Sequence, residues 1–153
     1  MKKKLFNEKG FTFLEMLIVI IILGILVTIA YPKFEKEKAR WELNMAARQM
    51  VSDIRLWQQK AIVEQKIFTL LINREEKIYH IKEKESNTIK YTGDLSNLIE
   101  SVNFTTNFNI IDLYPDGTTN KAGHFTLTNK FGARKYVIIL NTTGRVRISD
   151  TAS

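Results

Sequence analysis

The chain reads as an α+β protein in which a long N-terminal helix, first transmembrane and then amphipathic, packs on a small antiparallel β-sheet head. Three observations predict this. An apolar run, Phe11–Tyr31, leads into a stripe with helical periodicity, and after about Gln65 the pattern changes to short β-type runs separated by turn residues. The length of 153 residues allows one modest domain with an appended element, and 44% hydrophobic against 25% charged residues suits a packed core. Cysteine is absent, which excludes disulfides, thiolate metal sites and cysteine nucleophiles. His80 and His124 are too few for a multi-histidine metal site.

Lys2, Lys3, Lys4 and Lys9 precede the apolar run, where positive charge holds a segment on the cytoplasmic side of a membrane. The run from Phe11 to Tyr31 contains Glu15 as its single charge, and as a helix it is about 31 Å long, the thickness of a bilayer's hydrocarbon core. It is long enough to cross a membrane once. A cleaved secretory signal begins in the same way, but this run is longer than the usual signal core and no small-x-small motif follows it. Glu15 is costly in lipid without a partner. Either it lies at the interface as an incidental residue or it pairs with a positive group, and a neighbouring subunit's free amine serves if the chain is cut just before Phe11.

Pro32 removes a backbone donor and clashes with the preceding turn, so it is expected to kink or open the helix rather than end it. Beyond it Leu43, Ala47, Met50, Ile54, Trp57 and Ala61 recur at spacings of three and four, the mark of one buried face over residues 33–65. Residues 66–153 then form the β-rich head. Its expected strands are Ile67–Asn73, Ile78–Lys82, Thr88–Thr92, Val102–Thr105, Phe108–Leu113, His124–Thr128, Tyr136–Asn141 and Arg145–Ser149. Turn residues or charge divide them, as at Pro115-Asp116-Gly117 and Thr142-Thr143-Gly144. The stretch Asn107–Lys121, dense in Asn, Asp, Thr, Pro and Gly, is the expected mobile loop.

Lys9-Gly10-Phe11-Thr12-Phe13-Leu14-Glu15, between a basic leader and an apolar helix, resembles the processing motif of type IV prepilins and pseudopilins. The resemblance implies that a prepilin peptidase removes residues 1–10 by cutting between Gly10 and Phe11, and that Phe11 becomes N-methylphenylalanine. It implies that Glu15 offsets a neighbour's new amine and sets subunit register, and that Pro32 stands where the family tends to have a proline. The cysteine-free head and the ending Gly144-Arg145-Val146-Arg147-Ile148 are similar to the GspH/FimT group of minor pilins and pseudopilins. Residues 11–32 would then be the membrane helix, with a single pass through the cytoplasmic membrane, lipid around it, the head outside, and other pilins as filament partners.

No catalytic constellation is present. Asp112 and Asp116 suit turn chemistry, His80 and His124 have no partner residues in the sequence, and the glycines are isolated. No enzyme activity, cofactor or metal is expected. Asn103-Phe104-Thr105 and Asn141-Thr142-Thr143 match a glycosylation acceptor pattern but carry no assigned role. Strand alternation sends Arg145 and Arg147 to one face, with Val146 and Ile148 turned to the core. Lys130, Arg134 and Lys135 come from the preceding turn and strand, so a hairpin is able to gather five cations able to meet phosphates. A Gly-Arg-x-Arg ending of this kind resembles that of FimT-like minor pilins, which implies capture of extracellular double-stranded DNA through Arg145 and Arg147. The expected function is therefore a minor subunit of a type IV pilus, competence pilus or type II secretion pseudopilus, with DNA capture as the alternative.

Overall fold

A computed structural model describes residues 11–104 and 110–151 of the chain. One helix, α1 (Phe13–Glu64), is followed by eight strands: β1 (Phe68–Asn73), β2 (Ile78–Glu83), β3 (Ile89–Asp94), β4 (Ser101–Phe104), β5 (Ile110–Leu113), β6 (Gly123–Thr128), β7 (Arg134–Ile139) and β8 (Val146–Ser149). The chain divides into an N-terminal unit ending at Lys36 and a larger unit from Glu37 onward. Pro32 lies inside α1, so the helix does not end there. Its C-terminus closes where Gln65 turns left-handed (φ 54°) and the Lys66 N–H reaches back to the Ala61 carbonyl at 3.2 Å.

The expected stripe on α1 is the core face. Leu43, Ala47, Met50, Ile54, Trp57 and Ala61 are all buried, joined by Ala39, Ala46 and Val51. Every strand except β3 adds at least one residue to the buried core: Phe68, Leu70 and Ile72 from β1, for example, and Phe125, Leu127, Val137, Ile139 and Val146 from β6 to β8. Leu43 and Val146 belong to the same continuous cluster, so the helix stripe and both sheets share one core. Trp57 packs edge-on against Phe68, with ring centroids 4.9 Å apart.

The head is built from two four-stranded antiparallel sheets, ordered β3-β2-β1-β5 and β4-β6-β7-β8, where the sequence suggested one small sheet. The division arises because the chain changes sheets at three successive connections: β4 pairs with β6, β5 returns to β1, and β6 goes back to β4. The expected mobile loop is also corrected over its described part. From Ile110 onward it holds β5, a bridge between Leu113 and Thr119, and reciprocal bonds in which Asp112 N–H donates to Asn120 Oδ1 and Asn120 N–H to the Asp112 carbonyl. Polar residues that read as loop formers satisfy the backbone here. Residues 107–109 of that stretch lie outside the described residues.

Two polar clusters tie elements together. Glu83 on β2 takes Lys66 Nζ at 2.6 Å, Lys90 Nζ at 2.9 Å and the Ser86 hydroxyl at 3.0 Å. Asp53 on α1 accepts the phenol of Tyr79 and that of Tyr91, the latter at 2.9 Å. Gly93 lies against the Tyr79 ring, and a Cβ there would stand 2.0 Å from it.

The hydrogen bonds from Lys66, Lys90 and Ser86 hold the Glu83 carboxyl at about 2, below its ordinary 4.5. A lowered folded-state pKa stabilises the protein above pH 4.5, and that contribution fades as pH falls toward 2. In acid titrations of unfolding, the stability gap between the wild type and Glu83→Gln is therefore expected to narrow across this window. A constant gap would contradict the assignment. Gly144 and Gly132 give a second test, since both have positive φ (60° and 78°). A Cβ on Gly132 meets nothing within 4 Å, whereas one on Gly144 stands 1.8 Å from the Gly117 carbonyl oxygen. Gly132→Ala is expected to cost about 1–2 kcal/mol for its backbone alone, and Gly144→Ala about 2–5 kcal/mol, read from thermal unfolding in detergent.

Candidate functional site

Two regions carry the residues singled out by the sequence. The first is the start of α1. Thr12 precedes the helix and Glu15 is its third residue, and they bond reciprocally: the Thr12 N–H and hydroxyl both donate to Glu15 Oε2 (2.8 and 3.0 Å), while the Glu15 N–H donates to the Thr12 hydroxyl (3.3 Å). This is a capping box, which satisfies donors that a helix start otherwise leaves open. Its signal, Thr-x-x-Glu before an apolar run, stood in the sequence and went unread. Gly10 lies outside the described residues, and Phe11 is exposed.

The residues after Glu15 leave no polar face. Ile20, Leu26, Val27 and Ile29 are each more than half exposed, and none of the apolar window, with mean hydropathy 2.9, is buried within the chain. Among the described residues α1 is the one helix long and apolar enough to cross a membrane. Further on, Pro32 lacks the N–H that would bond the Thr28 carbonyl, while the Thr28 hydroxyl donates to the Gly24 carbonyl at 2.8 Å.

The second region is the hairpin β7–β8. Arg145 and Arg147 are exposed and Val146 is buried, as alternation predicts, but Ile148 keeps 37% of its surface because a groove separates it from α1. The hairpin also does not gather five cations at one point. Lys135 forms a cross-strand ion pair with Asp150, while Arg147 stands opposite Ile138 and the Arg145 carbonyl accepts from the Leu140 N–H at 3.1 Å. Arg145 is thus six residues along β7 from Arg134, roughly 20 Å. Lys130 sits in the β6–β7 turn over the Phe131 ring.

The turn before β8 is anchored to the helix. Gln58 Nε2 donates to the Gly144 carbonyl at 2.6 Å and Arg55 Nη2 to the Val146 carbonyl at 2.7 Å. Residue spacing had no means of showing these contacts, which join positions 86 and 91 apart. Asp112 and Asp116 do not form a paired site: Asp112 accepts from Thr69 and Lys84 (2.8 and 2.6 Å), and Asp116 from the Thr118 N–H and hydroxyl within its own turn. His80 meets the Thr92 hydroxyl at 2.8 Å and His124 packs edge-on against Tyr136. Among the described residues no group of three His, Asp or Glu side chains is placed to hold a metal.

Residues 5–31 match the pattern described as the prokaryotic N-terminal methylation motif, and residues 46–144 match the type II transport protein GspH. Two fimbrial proteins of Pseudomonas aeruginosa are 33% identical over 86 residues, 56% of this chain and 55% of theirs, so the chain spans about half the length of the curated relatives it matches. Among solved structures, the minor pseudopilin EpsH from the type 2 secretion system of Vibrio cholerae superposes with a TM-score of 0.59 at 11% identity, covering 71% of this chain and 96% of EpsH. The type IV minor pilin FimU of Pseudomonas aeruginosa gives 0.61 at 15% identity, covering 72% and 90%. At such identities these two likenesses establish the pilin-like fold and no more. The match over residues 46–144, well over half of its length, shows that the chain belongs to the family of the type II transport protein GspH.

Proposed function

We propose that this chain is a leader-processed, membrane-anchored minor subunit that assembles through its N-terminal helix into a type IV pilus or a type II secretion pseudopilus. The observation that carries the reading is a helix apolar on every side whose one charged residue up to Tyr31 is Glu15. A helix with no polar face must be covered, by lipid before assembly and by other subunits' helices afterwards. On this reading the peptidase cuts between Gly10 and Phe11. The cut removes Lys2, Lys3, Lys4 and Lys9, the charges that hold the segment at the cytoplasmic face, and leaves an amine on Phe11.

Glu15 then has two duties. A carboxylate offers about four acceptor positions, so it takes a neighbour's ammonium without giving up the bonds from Thr12. An unpaired carboxylate in an apolar filament core costs several kcal/mol, and this penalty restricts packing to registers that place an amine beside Glu15. The role is structural and assembly-based, in line with a family of pilin and pseudopilin subunits rather than known enzymes.

A second reading assigns double-stranded DNA to Arg145 and Arg147, and rests on their exposure beside a turn hydrogen-bonded to Gln58. Binding of this kind is salt-sensitive and indifferent to base sequence.

Mass spectrometry of the chain isolated from its cells is expected to show a start at methylated Phe11, with Gly10→Ala accumulating at full length. Glu15→Ala is expected to insert and be processed but to fall at least tenfold in filament fractions; normal incorporation would remove the register role. For the second reading, full chain in detergent is expected to retard duplex DNA at low salt, with Arg145→Ala plus Arg147→Ala weakening this at least tenfold. No retardation, or none lost in the double variant, would eliminate DNA capture by these residues.

A further inference from the structure

The groove beside β8 has the chemistry of a peptide site. It is an open groove of about 730 Å³ between the edge of the β4-β6-β7-β8 sheet and the α1 residues 48–59. Arg48 and Arg55, seven residues apart and so roughly 10 Å along the helix, line one wall, and Arg147 borders the other. Among the described residues no carboxylate lines it. Leu56 and Ile148, which are 48% and 37% exposed, also line it.

The strand edge supplies the second half of the argument. Because the Leu140 N–H bonds the Arg145 carbonyl, the antiparallel ladder directs the main-chain groups of residues 145, 147 and 149 at β7, and those of Val146 and Ile148 away from it. Arg55 takes the Val146 carbonyl, whereas the N–H and C=O of Ile148 face the groove side. An occupant must therefore offer a main-chain donor and acceptor, apolar groups for Leu56 and Ile148, and negative charge for the arginines. DNA offers phosphate acceptors but little to pair with a carbonyl or cover an isoleucine. An extended polypeptide with alternating acidic and apolar residues offers all of these.

We propose that the β8 edge and its arginine-lined groove receive an acidic, extended segment of a neighbouring, different subunit, which adds as a fifth strand to the sheet. A different subunit is favoured because the described edge strands of this chain offer no available run of acidic and apolar residues: β3 (Ile89–Asp94) has both Lys90 and Asp94, β4 (Ser101–Phe104) has no acid, and the Asp112 carboxylate of β5 is engaged by Thr69 and Lys84. Glu75 and Glu76 lie in a hairpin turn closed on Asn73 Oδ1. The inference rests on the assembly reading above.

The test uses the full chain in detergent micelles and a fluorescent seven-residue peptide of alternating glutamate and valine. Saturable binding that weakens with salt is expected, with slowed hydrogen exchange at the Ile148 amide. Arg48→Glu is expected to weaken binding at least tenfold, and Arg48→Glu with Arg55→Glu further; because Arg55 also holds Val146, the single Arg48 variant keeps the test valid if the double variant unfolds. The same peptide carrying alternate backbone N-methyl groups is expected to bind at least tenfold more weakly. Equal binding of a lysine–valine peptide, indifference to Arg48→Glu or to N-methylation, displacement of the peptide by duplex DNA, or occupation of the groove by a second copy of this chain would each overturn the proposal. Failed peptide binding alongside Glu15-dependent incorporation overturns the groove alone, whereas peptide binding by a chain never incorporated overturns the assembly reading.

Discussion

The buried stripe on α1 from Leu43 to Ala61 is the surface on which the rest of the head is organised. Each of its larger side chains contributes about 1.5–3 kcal/mol on burial, and no other element of the head reaches both sheets with so long an apolar face. The alanines Ala46, Ala47 and Ala61 are fully buried, which lets strands approach the helix closely where a longer side chain would hold them off. The same helix begins with a segment whose apolar residues have no face of their own chain to cover them. One continuous element thus has two characters, buried against the sheets in its second half and apolar but uncovered by its own chain in its first.

How far this was legible in the sequence depended on whether the signal was local. The stripe follows from spacings of three and four, and the eight strands follow from alternation broken by Gly, Asp and Asn, with ends displaced by two residues or fewer where they are described. The division into two sheets was illegible because β4 and β5 change partners at connections that no local pattern marks. Asp53 was missed for the same reason. It reads as one more polar residue on the helix, and only the fold brings Tyr79 and Tyr91, 26 and 38 residues away, onto its carboxylate. Low dielectric and the carboxylate beside them push both phenols upward in pKa, so they remain donors at any physiological pH.

At the candidate sites the local motifs were visible and their reach was not. Gly10, Phe11 and Glu15 are a contiguous motif, yet the reciprocal bonds of Thr12 and Glu15 show that the same carboxylate also starts the helix. The basic hairpin illustrates the opposite case. Five cations close in sequence are dispersed by the ladder, because an antiparallel register places the start of β7 opposite the end of β8. Lys135 is drawn to Asp150, and Arg147 is brought instead toward Arg48 and Arg55, two exposed arginines of α1.

The sheet edges bear on why that cationic groove lies where it does. A free strand edge invites pairing with any exposed strand, and proteins guard such edges with charge, irregularity or a covering segment. β5 is covered by residues 118–120, through the bridge to Thr119 and the bonds with Asn120. The register between β2 and β3 shifts at Ile81 and Lys82, and Lys90 on β3 is bound inward to Glu83. β8 is guarded differently: Arg55 caps one of its carbonyls, and Arg48 and Arg147 place positive charge along the remainder. Like charge repels a second copy of the same edge, because two such edges would bring their arginines together. The guard that prevents self-pairing is therefore one that an acidic strand would convert into attraction, so a single device supplies both protection and selectivity.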